Sequence, residues 1–152
     1  MTVAARVAGR DIALDGRVAE PPDELAGAEV LIAVVHHPDP MAALGQALRG
    51  RAIHPGVRVT VTPSSHLVDK QAEGEGILEL FRTLGAVVTP PGCGSCIGNG
   101  PGIPLPGETT ASTTNRNFDR RMGAPGPVYL VSPAVAAASA VTGHLTDPRT
   151  LE

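Results

Sequence analysis

The sequence has almost no aromatic side chains. Of 152 residues, two are Phe, one is Tyr and none is Trp. A core built without rings must be filled by Ala, Val, Leu and Ile. That composition suits helices packed on a parallel sheet, whose buried strands read as aliphatic runs. Hydrophobic residues make up 42% of the chain, which excludes a disordered polymer. Basic residues show no excess, with 12 Lys and Arg against 15 Asp and Glu. Without a basic stripe, nucleic acid is not an expected partner. No apolar run approaches the ~20 residues of a membrane span. The opening MTVAARVAGRDIALDG lacks the pattern of a signal peptide. No membrane association is therefore expected, and a cytoplasmic location is. Cysteine is scarce as well, with two in the chain. In a cytoplasmic protein, two cysteines separated by two residues point to metal or redox chemistry more than to a structural disulfide.

Glycine and proline are abundant, at 18 and 15 residues, and they divide the chain. Residues 1–26 hold loosely alternating apolar positions broken by Gly9 and Gly16, which predicts short strands or a hairpin. This segment reads as an N-terminal extension, and residues 27–152 as one α/β domain. Ala28–Val35 is an aliphatic run of strand length. After His36-His37, Asp39 and Pro40 make a helix start, Met41, Leu44 and Leu48 share a helical face, and Gly50 ends it. Val57, Val59 and Val61 alternate as a second strand. Ser64 or Ser65 caps a helix from Leu67 to about Glu73, and Gly74 and Gly76 break it. Ile77, Leu78, Phe81 and Leu84 predict a further helix, and Ala86–Val88 a third strand. Val128–Val131 predicts a fourth strand, followed by an Ala-rich helix from Ala134 to Thr142 that Ser132 caps and Gly143 stops. Strands alternating with helices predict a three-layer α/β/α sandwich with a mainly parallel sheet. In such sheets the crevice lies past the carboxyl ends of the strands. His36-His37, Ser64-Ser65-His66, Cys93-Cys96 and Ser132 all follow strands, so they are expected along one edge.

The stretch Pro90–Arg121, PPGCGSCIGNGPGIPLPGETTASTTNRNFDRR, is too rich in glycine and proline for a helix or strand and reads as a shaped loop. The spacing of Cys93 and Cys96 lets both thiolates face one metal or cluster. It suits equally well two ordinary thiols, or a disulfide, in a glycine-rich turn. Arg116, Arg120 and Arg121 could pair with carboxylates in a two-pronged geometry. On composition alone they read as part of a solvated loop. His36-His37 could ligate metal or move protons, or be a pair of exposed loop histidines.

Several of these segments together resemble the aconitase superfamily of iron–sulfur hydro-lyases, and most closely the large subunit of 3-isopropylmalate dehydratase. The segments are Gly92-Cys93-Gly94-Ser95-Cys96-Ile97-Gly98, Ser112-Thr113-Thr114-Asn115-Arg116-Asn117-Phe118 with Arg121, Val131-Ser132-Pro133 with its Ala-rich helix, and Asp147-Pro148-Arg149. Pro55-Gly56-Val57 and the stretch from Pro63-Ser64-Ser65 to Gly76 also fit. The likeness runs from about Ala28 onward and covers what looks like the third domain of that subunit. It implies a fold like domain 3 of aconitase and a small carboxylic acid as substrate. It also implies substrate binding by Asn115, Arg116, Arg121 and Ser65. A four-iron, four-sulfur cluster would take Cys93 and Cys96 as two of its three cysteines. The third would fall at or near Val35, where this chain has no thiol. His37 is the candidate replacement, since imidazole can stand in for thiolate at some iron–sulfur centres. Arg120 occupies a position at which the family typically has glycine.

Three functional readings follow from the resemblance. The first is a reduced, single-domain hydro-lyase or isomerase acting on a small carboxylic acid through a cluster or metal. The second is a cluster-free enzyme using the same pocket, with His36 and His37 as acid–base groups or a cysteine as nucleophile. The third is a non-catalytic subunit completing a multi-chain dehydratase, with partner subunits supplying the remaining domains. Assembly as a homo-oligomer is compatible with each of these readings.

Overall fold

The computed structural model describes residues 4–7, 10–13, 30–35, 45, 47–115, 117–118 and 120–151. Strands β1 (Ala4–Val7) and β2 (Arg10–Ala13) pair antiparallel, with Ala4 opposite Ala13. The remaining strands are β3 (Val30–Val35), β4 (Arg58–Pro63), β5 (Val87–Val88), β6 (Thr110–Ser112) and β7 (Val128–Leu130). They form one sheet in the order β5-β4-β3-β6-β7, and every pairing in it is parallel. The expected parallel α/β architecture is therefore present. Of the helix predicted after Asp39, only its last turn around Leu48 falls within the described residues.

The helices begin and end where local chemistry demands. Helix α1 (His66–Gly74) starts at Ser65, whose hydroxyl accepts the Val68 amide at 3.3 Å. That bond satisfies one of the amides a helix start leaves unpaired. Helix α2 (Ile77–Thr83) follows Gly76, whose φ of 70° turns the chain through the left-handed region. Helix α3 (Pro133–Thr142) has Ser132 as its cap, Pro133 in its first turn and Gly143 as its stop.

One face of the sheet carries the apolar core. Val59 and Val61 of β4 and Ala111 of β6 pack with Leu48, Val68, Ala72, Ile77, Leu78 and Phe81 and with Ala136, Ala137 and Ala140. All three helices contribute to this one cluster. With so few rings in the chain, small alanines on α3 let that helix lie close to the sheet.

Alternation along β4 sends Thr60 and Thr62 to the other face, where both are buried. No α-helix among the described residues covers them. The cover is the glycine-rich connection between β5 and β6. A Cβ on Gly102 would stand 2.8 Å from Thr60 Cγ2, and one on Gly94 would collide with Thr62 Oγ1. Only glycine allows this close approach. Thr62 Oγ1 shares a hydrogen with Thr89 Oγ1 at 2.6 Å, which satisfies both buried hydroxyls.

The path of the chain explains the division of faces. From β3 the chain moves to β4 and then β5, one way across the sheet. It then returns past β4 and β3 to reach β6 and β7. Right-handed crossovers that travel in opposite directions lie on opposite faces. The reversal falls between β3 and β6, which is where open α/β sheets place their ligand crevice.

Candidate functional site

Among the described residues, the crevice is built by two segments, one leaving the carboxyl end of β5 and one leaving that of β6. Beyond β5, the Gly92 amide donates to the Pro63 carbonyl at 2.8 Å and holds the loop to the end of β4. Cys93 then starts a single 3-10 turn, Gly94–Ile97, in which the Cys96 amide donates to the Cys93 carbonyl at 3.1 Å. The two cysteines are thus one turn apart. Cys93 is exposed, and Cys96 is half-buried against Met122 and Val128. Neither is in a disulfide. Cys93 borders an open cleft of about 330 Å³ walled by Pro90, Pro91, Ile97, Asn99 and Pro101.

Beyond β6, Arg121 is only 6% exposed and its guanidinium makes two defined contacts. Nη1 donates to Thr114 Oγ1 at 3.0 Å, and Nη2 donates to Cys96 Sγ at 3.2 Å. Thr114 Oγ1 also shares a hydrogen with Ser112 Oγ at 3.0 Å. A buried polar chain thus runs from the end of β6 through the guanidinium to the sulfur. Backbone packing sets its register. A Cβ on Gly98 would lie 2.6 Å from the Gly123 nitrogen and 2.8 Å from the Arg121 carbonyl, and one on Gly123 would lie 2.7 Å from the Gly98 carbonyl. The cysteine turn and the arginine turn therefore interlock through two glycines.

The sequence-predicted residues divide as follows. Cys93, Cys96 and Arg121 share this one site. Asn115 is exposed nearby in sequence. Ser65 is exposed at the start of α1, where its hydroxyl caps the helix. Arg116, His36 and His37 lie outside the described residues. Within the Asp147-Pro148-Arg149 motif, side-chain and backbone hydrogen bonds from Arg149 hold the Asp147 carboxyl below the usual carboxylate range. Sequence reasoning missed Ser112 and Thr114 as the residues that hold Arg121. It also missed Asn117, whose Nδ2 donates to the Val128 carbonyl at 2.8 Å and ties the loop to β7. The available signal was the Ser-Thr-Thr run, since such side chains readily bond near their own backbone.

Arg120 has a φ of 56°, the one left-handed non-glycine among the described residues. That conformation costs an ordinary residue about 1–2 kcal/mol. Arg120→Gly is therefore expected to stabilise the protein by about 1 kcal/mol, after allowing for the greater freedom of glycine in the unfolded chain. Chemical denaturation of the two proteins checks this, and a fall in stability would contradict it.

An iron–sulfur cluster held by three cysteines does not fit the donor set. Cys93 and Cys96 supply two thiols, β3 closes on Val35, and the chain has no further cysteine. Among the described residues no three His, Cys, Asp or Glu side chains converge to hold a metal ion. No described helix is long and apolar enough to cross a membrane.

Comparison with known proteins bears directly on this site. The model of the aconitase family (aconitate hydratase) matches residues 36–143. The chain is 49% identical over 113 residues to the homoaconitase large subunit of Thermus thermophilus, an alignment covering 74% of this chain and 27% of that one. It is 46% identical over 114 residues to the 3-isopropylmalate dehydratase large subunit of Herpetosiphon aurantiacus, covering 74% and 27%. The corresponding subunit of Desulfitobacterium hafniense is 50% identical over 109 residues, covering 71% and 26%. The chain thus spans about a quarter of the length of these curated relatives.

Proposed function

The chain belongs to the aconitase family, and on that premise we propose that it binds the carboxylate of a small organic acid in a dehydratase-type reaction. The observation that carries this reading is the buried Arg121 guanidinium, fixed by Thr114 beside Cys96 at the reversal point of the sheet. A guanidinium carries more N–H groups than these two contacts use. The remainder suit two-pronged pairing with a carboxylate. Because Arg121 is screened from water, that pairing is stronger than at an exposed arginine. Asn115 and Arg116 adjoin it in sequence and are assigned to the same substrate.

In elimination of water, a proton leaves the carbon next to a carboxylate, the C–O bond breaks on the neighbouring carbon, and the departing hydroxide takes up a proton. Arg121 would hold the carboxylate and offset the charge that builds as the C–H bond breaks. His36 and His37 directly follow β3 in sequence and are the groups proposed to supply or remove a proton. A cluster-free version is favoured by Val35, which has no atom able to ligate iron. The relatives matched are large subunits, so partner chains completing the site are part of this reading.

Titration calorimetry with 3-isopropylmalate tests the proposal, using its uncharged dimethyl ester as control. Saturable binding of the acid and none of the ester is expected. Equal binding of both, or of neither, would contradict it.

A further inference from the structure

We propose that Cys93 and Cys96 form a thiol–disulfide exchange site whose substrates are small, uncharged disulfides. Both thiols are free and lie one turn apart, the Cys96 amide bonded to the Cys93 carbonyl at 3.1 Å. A turn closed in this way brings its end Cα atoms within about 7 Å. A disulfide spans Cα separations of about 4.4–6.8 Å, so the pair can close with little backbone movement.

Their surroundings differ as exchange requires. Cys93 is exposed on the rim of the cleft, whose proline and isoleucine walls suit an uncharged ligand. Cys96 is half-buried against Met122 and Val128 and does not line the cleft. In a 3-10 turn, side chains three residues apart stack on one side, which sets Cys96 toward Cys93. Arg121 Nη2 stands 3.2 Å from its sulfur. A guanidinium donor interacts more strongly with a sulfur bearing negative charge than with a disulfide sulfur. Arg121 therefore biases the pair toward the reduced form. No third described ligand converges on the pair to lock it around a metal.

The exchange balances without any further reactant. The Cys93 thiolate attacks one sulfur of the small disulfide, forms a mixed disulfide and releases one small thiolate. Cys96, as thiolate, attacks the Cys93 sulfur and displaces the second small thiolate. The dithiol loses two electrons, the substrate disulfide gains them, and the two thiol protons end on the released thiols. The chemistry draws on neither a carboxylate ligand nor a partner chain, so its failure leaves the dehydratase reading standing.

The test is to treat the reduced full chain, under nitrogen, with bis(2-hydroxyethyl) disulfide and follow intact mass. Wild type is expected to lose two hydrogens and retain no adduct. Cys96→Ser is expected to trap the mixed disulfide on Cys93, and Cys93→Ser to react at least tenfold more slowly. In a dithiothreitol redox buffer, Arg121→Met is expected to shift the equilibrium about tenfold toward the disulfide, equivalent to about 30 mV. A wild-type mixed disulfide that persists would overturn the proposal, as would a Cys93→Ser variant as reactive as wild type. The cysteine variants decide the matter even if Arg121→Met does not fold.

Discussion

Replacing Arg121 with methionine is expected to weaken binding of 3-isopropylmalate about a hundredfold. The figure follows from two charge-assisted hydrogen bonds lost together, at about 1.5 kcal/mol or more each, with every 1.4 kcal/mol equal to a factor of about ten. Methionine keeps the length and apolar stem of the side chain and removes the donors. The variant also gives up the contacts to Thr114 and Cys96, so thermal unfolding is measured beside binding. Arg121→Lys separates charge from shape. It keeps the cation and loses the planar fork, and is expected to recover only part of the affinity. Affinity unchanged in Arg121→Met would remove this residue from the carboxylate site.

Gly98→Val carries the second large effect, on stability. Gly98 has a φ of 73°, and its added Cβ would lie 2.6 Å from the backbone nitrogen of Gly123. Backbone cannot swing aside as a flexible side-chain end can. The left-handed conformation alone costs about 1–2 kcal/mol, and more for a β-branched residue. With the clash added, a loss of about 3 kcal/mol or more is expected. Gly107→Ala is the matching control. Its φ is 88° but its Cβ would meet nothing within 4 Å, so it should show the backbone penalty alone. Equal losses in the two variants, read from chemical denaturation, would mean that the interlock with Gly123 contributes nothing.

The sheet and its helices were legible because their signals are local. Aliphatic runs marked β3 and β4, serines marked the starts of α1 and α3, and glycines marked the breaks at Gly76 and Gly143. Strand β6 was not legible. Thr110-Ala111-Ser112 has no aliphatic run, and it becomes a strand because β3 and β7 lie on either side of it. Cover for the second sheet face was also hidden. Nothing local says that Gly94 and Gly102 lie against Thr62 and Thr60, since that contact depends on the direction of the return crossover. The cysteine pair and Arg121 were legible as motif residues. Their direct contact was not, because it joins positions 25 apart through the Gly98–Gly123 interlock.

The cysteine loop of this family persists here beside Arg121 without a full ligand set for a cluster. The most direct test is to reconstitute the chain anaerobically with ferrous iron and sulfide, desalt it, and measure iron, acid-labile sulfide and free thiols per chain. Less than one cluster equivalent of iron and sulfide is expected, with both thiols recovered by alkylation after unfolding. A full four-iron, four-sulfur complement, lost in Cys93→Ser and in Cys96→Ser, would contradict it.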